Sequence, residues 1–277
     1  MKNTPPPPLL KYEDHIKALD DVVRHCIAVS QACAGIPAPT GAHYYASVLF
    51  TSLCTRGVSL LTLLPRSPLV PKSLEQWDYS SCAGLVRSIL EVRLAFFYLC
   101  AEEVSADEWN CRWNLFNLHD CTSRISLFQD MPGEAGEITG FQAQAEELKD
   151  RLRANAFFVG LSQKSQNKLI NGHSAYHLPL EEIAARAGVE LKVFRWLYRL
   201  FSSQVHGLPL AFYRMGEQNR GQGVYSETEE SYTKLCIAFA ISLFAHASDE
   251  MKVLFPSAND GRFQILSSTL AWQSVRG

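Results

Sequence analysis

Twenty residues, CAGLVRSILEVRLAFFYLCA at 82–101, constrain the fold more than any other stretch. Apolar side chains recur on every side of the helix they would form, and a helix apolar all round is buried. The length would also span a bilayer, but Arg87, Glu91 and Arg93 stand in the middle, and each is costly in hydrocarbon. The stretch is therefore expected as the central buried helix of a soluble bundle. Buried charges must be paired and hydrogen-bonded, so these three side chains need partners from elsewhere in the chain.

The rest of the chain repeats the helical period. Residues 12–33 place Ile16, Leu19, Val23 and Ile27 on one face, and AGIPAPTG at 34–41 ends that helix. A second helix is expected over 42–64, closed by Pro65 and followed by the proline-rich loop PRSPLVPKS. Ser73 with Gln76 forms a capping box that would open the central helix and carry it to about residue 103. Ser105 with Glu108 opens the next, to about residue 129.

MPGEAGEITG at 131–140 reads as a loop, and helical spacing resumes from Phe141 to about Ile170. NGHSAYHLP interrupts it. Pro179 suits the first turn of a short helix that stops at Gly188. A helix over 190–206 ends at Gly207 and Pro209, and residues 214–225 read as a loop. Ser226 with Glu229 caps a last long helix that Pro256 terminates. The segment 262–275 suits either a helix or a strand. No strand–turn–strand pattern or internal repeat is present. The expected architecture is all-α: a multi-helix bundle over residues 10–277, one domain behind a flexible proline-rich tail at 1–9.

Composition narrows the setting. Hydrophobic residues make up 47% of the 277 and charged residues 19%, enough apolar surface for a large core. The net charge of −2 gives no global field toward nucleic acid or an anionic membrane, although a local basic patch could still act. None of the eight cysteines forms a C-x2-C pair, which argues against a zinc ribbon or a redox dithiol. They fall in apolar helical patterns, and MKNTPPPPLL lacks the apolar core of an export signal. Reduced thiols in the cytoplasm are the expectation.

The polar side chains of YRLFSSQVHG at 198–207 form a pattern of their own. At 100° per residue, Arg195, Arg199, Ser202 and His206 fall within about 60° of one another, with Tyr198 beside them. Val193, Phe194, Trp196, Leu197, Leu200 and Phe201 take the opposite side and read as core. On the central helix, Arg87, Glu91 and Tyr98 share one face. The two faces are expected to meet, Arg87–Glu91 against Tyr198–Ser202–His206. Glu91 would have acceptors left for His206, Ser202 or Arg199.

LVRSILEVRLAFFYL followed by FRWLYRLFSSQVHG resembles a bacterial family of helical proteins of unknown function. Its members carry R-x3-E on an early helix and Y-x3-S-x3-H on a late one. The matching positions are Arg87, Glu91, Tyr198, Ser202 and His206, and the similarity extends over roughly residues 40–250. It implies a helical fold and a focal site, and no reaction. Arg199-x6-His206 is also similar to the R-x4–6-H motif of HEPN-type helical ribonucleases, where a dimer brings two such pairs together. That resemblance implies RNA cleavage, with Arg199 stabilising phosphorane charge and His206 moving the 2′-hydroxyl proton.

Two other readings compete. The same polar stripe is what a structural clamp between two helices looks like, in a module that binds a protein partner and catalyses nothing. LEEIAARAGVELKVFRWLYR at 180–199 also resembles a helix-turn-helix, with Gly188 as the turn glycine, which implies DNA binding. Weaker signals carry little. His173-x3-His177 has metal spacing, but Gly172 and Pro179 flank it and no third ligand is evident, so a loop is expected. His119-Asp120 reads as a polar helix position facing the central network. No phosphate loop or nucleophile elbow is present. The sequence thus implies no metal and no cofactor. The candidate partners are RNA or a nucleotide, a protein, or a second copy in a homodimer, with no membrane.

Overall fold

The computed structural model describes residues 10–131, 135–213 and 217–258. The expected tail at 1–9 and the segment 262–275 lie outside these residues. Within them the chain is all-α, with no β-strand and a lone backbone bridge between Trp77 and Gly223. In chain order the helices are α1 (Tyr12–Cys33), α2 (Gly41–Leu63), α3 (Tyr79–Phe96), α4 (Ala106–Gln129), α5 (Ala135–Arg153) and α6 (Ala156–Gly160). They continue as α7 (Gln163–Leu169), α8 (Leu180–Arg186), α9 (Leu191–Val205), α10 (Pro209–Phe212) and α11 (Glu227–Leu254). A π-helical turn, Phe97–Ala101, extends α3. The chain divides into two compact units, residues 102–186 and the remainder on either side.

The larger unit is built around α3, which packs against α2, α9 and α11, while α1 covers α2 and α11. The stretch that opened the sequence reading is therefore a central helix. Its core holds Leu19, Phe50, Val86, Leu90, Phe96, Phe201 and Phe244, all but sealed from solvent. Gly57 is required where α2 crosses its neighbours. A Cβ there would lie 2.8 Å from Val23 Cγ2 and 3.0 Å from Phe244 Cζ. All eight cysteines are buried free thiols, and burial pushes Cys54, Cys82 and Cys100 up to about 12.

Two buried charges pin this unit. Arg93 lies between the rings of Phe96 and Phe97 and pairs with Glu250 at 2.6 Å, joining α3 to α11. Glu229 is fully buried in the first turn of α11. Its carboxylate accepts from the backbone N–H of Tyr79 (3.0 Å) and of Gly221 (2.8 Å). It thereby ties the start of α3 and the 220s loop to α11.

The smaller unit packs α4 against α5, with α6 beside both, over Leu115, Leu118, Leu148, Leu152, Phe158 and Leu169. Beside this core, Arg112 is completely buried and pairs with Glu102 (2.7 Å) and Glu108 (2.5 Å). His177 packs its ring edge-on against Phe157, 3.8 Å from Glu108. Burial first, then the Arg112 charge, drives its pKa down to about 4, so the imidazole is neutral and the Glu108 contact is no ion pair at neutral pH.

Several elements differ from the sequence reading, each for a local reason. Ser73–Gln76 opens no helix. Glu75 accepts from Arg66 N and Trp77 N donates to Gly223 O, which holds the segment extended until Asp78 caps α3. The single helix expected over 141–170 is three, because Asn155 and Ser162 each restart the chain as N-caps. It also begins earlier, since residues 135–140, read as loop, belong to α5. His119 makes its hydrogen bond inside the smaller unit. Its Nδ1 lies 2.9 Å from Gly172 O and anchors the loop after α7. That loop holds His173 exposed and His177 outside any helix. Ser105 and Ser226 cap α4 and α11 as expected.

Candidate functional site

The site forms where α3 and α9 cross. The two helices lie close there: a Cβ at Gly84 would sit in ordinary van der Waals contact with Val205, at 3.5 Å. α9 is strongly two-sided: Phe194, Leu197 and Phe201 are buried, while Lys192, Arg195, Trp196, Arg199 and His206 are exposed. Trp196, read as core, is 52% exposed. It lies at the edge of the polar arc about 60° from Arg199, so counting apolar residues misassigns it.

Arg87 is the hub. Its side chain is 16% exposed, and its Nε donates to Glu91 Oε1 at 3.2 Å. One terminal nitrogen donates to the Tyr198 hydroxyl at 3.3 Å, and the other lies 3.0 Å from His206 Nε2. The guanidinium also sits over the Tyr198 ring, 5.0 Å from its centroid. Tyr198 in turn donates to Glu91 Oε1 at 3.4 Å. Its ring is held by stacking on Phe194 at 5.3 Å. A guanidinium has only donors, so the contact fixes His206 Nε2 as an acceptor and places the ring proton on Nδ1.

His206 occupies the C-cap of α9, where its backbone N–H donates to Ser202 O and Gly207 follows at φ +57°. That left-handed glycine ends the helix and lets the chain turn into α10. The imidazole is therefore fixed on one side by Arg87 and open on the other. Ser202 lies between Tyr198 and His206 on the same face, its Oγ shielded and without a hydrogen-bond partner.

Four of the residues singled out in the sequence thus meet: Arg87, Glu91, Tyr198 and His206. The expected contact from Glu91 to His206 or Ser202 does not form. Arg87 stands between Glu91 and His206 and bonds both. Arg199 is exposed outside this cluster, on the arc it shares with Lys192 and His206. Among the described residues no ion pair joins an acidic side chain to Lys192 or Arg199. No group of three or more His, Cys, Asp or Glu side chains among them is placed to hold a metal.

The sequence pattern of a family of unknown function, DUF5677, matches residues 43–223. The chain belongs to this family. The matched span contains α3, α9 and every residue of the site. No curated protein and no solved structure matches the chain. The DUF5677 match names no activity, so the chemistry has to be argued from the side chains.

Proposed function

We propose that the outward face of α9 binds RNA and that His206 acts on it as the proton acceptor in strand cleavage. The observation that carries this reading is the exposure of Lys192, Arg199 and His206 on one helical arc, with a terminal nitrogen of Arg87 3.0 Å from His206 Nε2. Lys192 and Arg199 supply charge for successive phosphates, and the half-exposed Trp196 beside them offers a ring on which a base can stack. The R-x6-H spacing similar to that of HEPN-type ribonucleases is consistent with these roles.

The chemistry needs no cofactor. A phosphate that takes up the Arg87 guanidinium releases the Nε2 lone pair of His206. That nitrogen accepts the 2′-hydroxyl proton as the 2′-oxygen forms its bond to phosphorus. The bond from phosphorus to the 5′-oxygen breaks, and the leaving oxygen takes a proton from solvent. Arg199 and Arg87 offset the charge that develops on the phosphoryl oxygens.

The test is incubation of a labelled single-stranded RNA with wild type, His206→Ala and Arg199→Ala at low salt. The reading expects binding and cleavage by wild type, binding without cleavage by His206→Ala, and weakened binding by Arg199→Ala. Equal fragmentation by wild type and His206→Ala, or none by either, overturns the catalytic role.

A second reading has its own support. Val205, Leu208, Leu210 and Tyr213 expose large apolar side chains just after the site, which favours a protein partner on this face. Unchanged capture of that partner by His206→Ala would mark the polar cluster as a structural clamp.

A further inference from the structure

Helix α2 carries an exposed face that α9 and its chemistry do not explain. Tyr44, Val48, Thr51, Thr55, Val58 and Thr62 all point outward. Their spacings run 4, 3, 4, 3, 4, the a/d seam of a helix that packs lengthwise against another helix. None of the six is charged. Arg56, the one Asp, Glu, Lys or Arg between Gly41 and Leu63, is turned inward, with its Nε donating to Ser88 of α3 at 3.0 Å and Nη1 reaching Ser52.

The threonines on this face behave as apolar residues. Thr55 and Thr62 donate their hydroxyls to the carbonyls four residues back, Thr51 O (3.0 Å) and Val58 O (2.9 Å). Thr51 Oγ1 lies 3.3 Å from Ser30 Oγ of α1. With the hydroxyls engaged, the five seam residues after Tyr44 present β-branched side chains. An exposed helical face of about 27 Å without a charge is unusual at a solvent boundary and has the charge depletion of an interface core.

We infer that this face is the two-fold interface of a homodimer in which α2 pairs antiparallel with α2 of a second copy. The occupant is set by the order of the residues. Turned end for end about residue 53, the spacing maps onto itself and two of its three pairs are like residues, Thr51 against Thr55 and Val48 against Val58, with Tyr44 against Thr62 of the second copy at each end. An isologous interface requires this self-complementarity, and a partner of different sequence does not.

The ends of the seam supply the anchors. A cavity of about 510 Å³ opens beside Thr62, lined by Val58, Leu63, Lys72, Leu74 and Gln76 among others. Lys72 is committed to Leu63 O and Leu64 O, both at 2.8 Å, and Leu74 is 76% exposed at the rim. In the antiparallel register the second copy's Tyr44, itself 58% exposed, meets this cavity. Its ring fills the apolar part and Gln76 accepts from its hydroxyl. A bare two-helix seam falls short of the roughly 800 Å² per partner of a stable interface, and two aromatic anchors in pockets extend it toward that value. α2 is also the one helix among the described residues long and apolar enough to cross a membrane by length and composition, so a lipid surface is the outcome to separate.

Sedimentation of the wild type across the micromolar range should give a dimer. Val48→Glu should give a monomer with unchanged helical circular dichroism, because the two-fold places two carboxylates in one apolar seam. Tyr44→Ala should weaken the dimer at least about tenfold. Register is read separately: Thr51→Cys mixed with Thr55→Cys should form a disulfide-linked dimer under mild oxidation faster than Thr51→Cys mixed with Thr62→Cys. A wild type that stays monomeric through this range overturns the inference, as does flotation of a monomer with phospholipid vesicles. Equal cross-linking of the two mixtures overturns the antiparallel register.

Discussion

Arg87 reaches across the contact between α3 and α9 to place a donor 3.0 Å from His206 Nε2 while its Nε holds Glu91. One planar cation thus links a carboxylate, a phenol and an imidazole, a geometry that a lysine ammonium at the end of a flexible stem cannot reproduce. Arg87→Lys should keep the fold, at a cost of about 1–2 kcal/mol for the lost hydrogen bonds. It should also release the ring. Long-range proton–nitrogen correlation spectra should show a single Nδ1-protonated tautomer for His206 in the wild type and a mixture in Arg87→Lys.

The buried pair Arg93–Glu250 is expected to behave as a unit. Glu250→Leu leaves a guanidinium uncompensated in the core and should cost about 3–5 kcal/mol, read by denaturant unfolding. Arg93→Met combined with Glu250→Leu should recover most of that loss, because the desolvation cost of both charges disappears together.

Glu229 is the other internal pin. Glu229→Ala strips one buried backbone N–H, that of Tyr79, and one partly buried one, that of Gly221, of their acceptor and should cost about 1–3 kcal/mol. Hydrogen exchange should locate the damage at the first turn of α3 and in the 220s loop, with α4 and α5 unaffected.

The smaller unit should lose stability in acid through His177. Its folded pKa is lowered to about 4, below its ordinary value of 6.5, so the unfolded chain binds the proton first. Stability is complete above pH 6.5 and falls as the pH drops toward 4. His177→Phe should flatten that part of the pH profile in thermal melts. An unchanged slope would place the acid sensitivity in other groups.

Much of this was readable in the sequence. Helical periodicity located α1, α2, α4, α9 and α11 but ran α5, α6 and α7 together, and the three charges within 82–101 announced that α3 is a buried helix with internal partners. The angular grouping of Tyr198 and His206, set against Arg87 and Glu91, located the cluster. What periodicity cannot report is which of several acceptors a guanidinium selects. Side-chain length decides that, and it put Arg87 rather than Glu91 against His206. Nor does periodicity separate a cap that is used from one that is not. Ser73 has the pattern, but Trp77 pairs with Gly223 and Asp78 takes the role. Trp196 shows the limit of reading apolar residues as core, because an exposed aromatic carries the same letter as a buried one.

The central claim, that the outward face of α9 binds RNA, is tested most directly by fluorescence anisotropy of a labelled single-stranded RNA titrated with wild type and Arg199→Ala at several salt concentrations. The account predicts micromolar or tighter binding at low salt that weakens as salt rises. It also predicts that Arg199→Ala binds less tightly and with a salt slope shallower by about 0.7, the share of one phosphate contact on a single strand. Absence of binding at micromolar protein in low salt, or identical slopes for the two proteins, would contradict it.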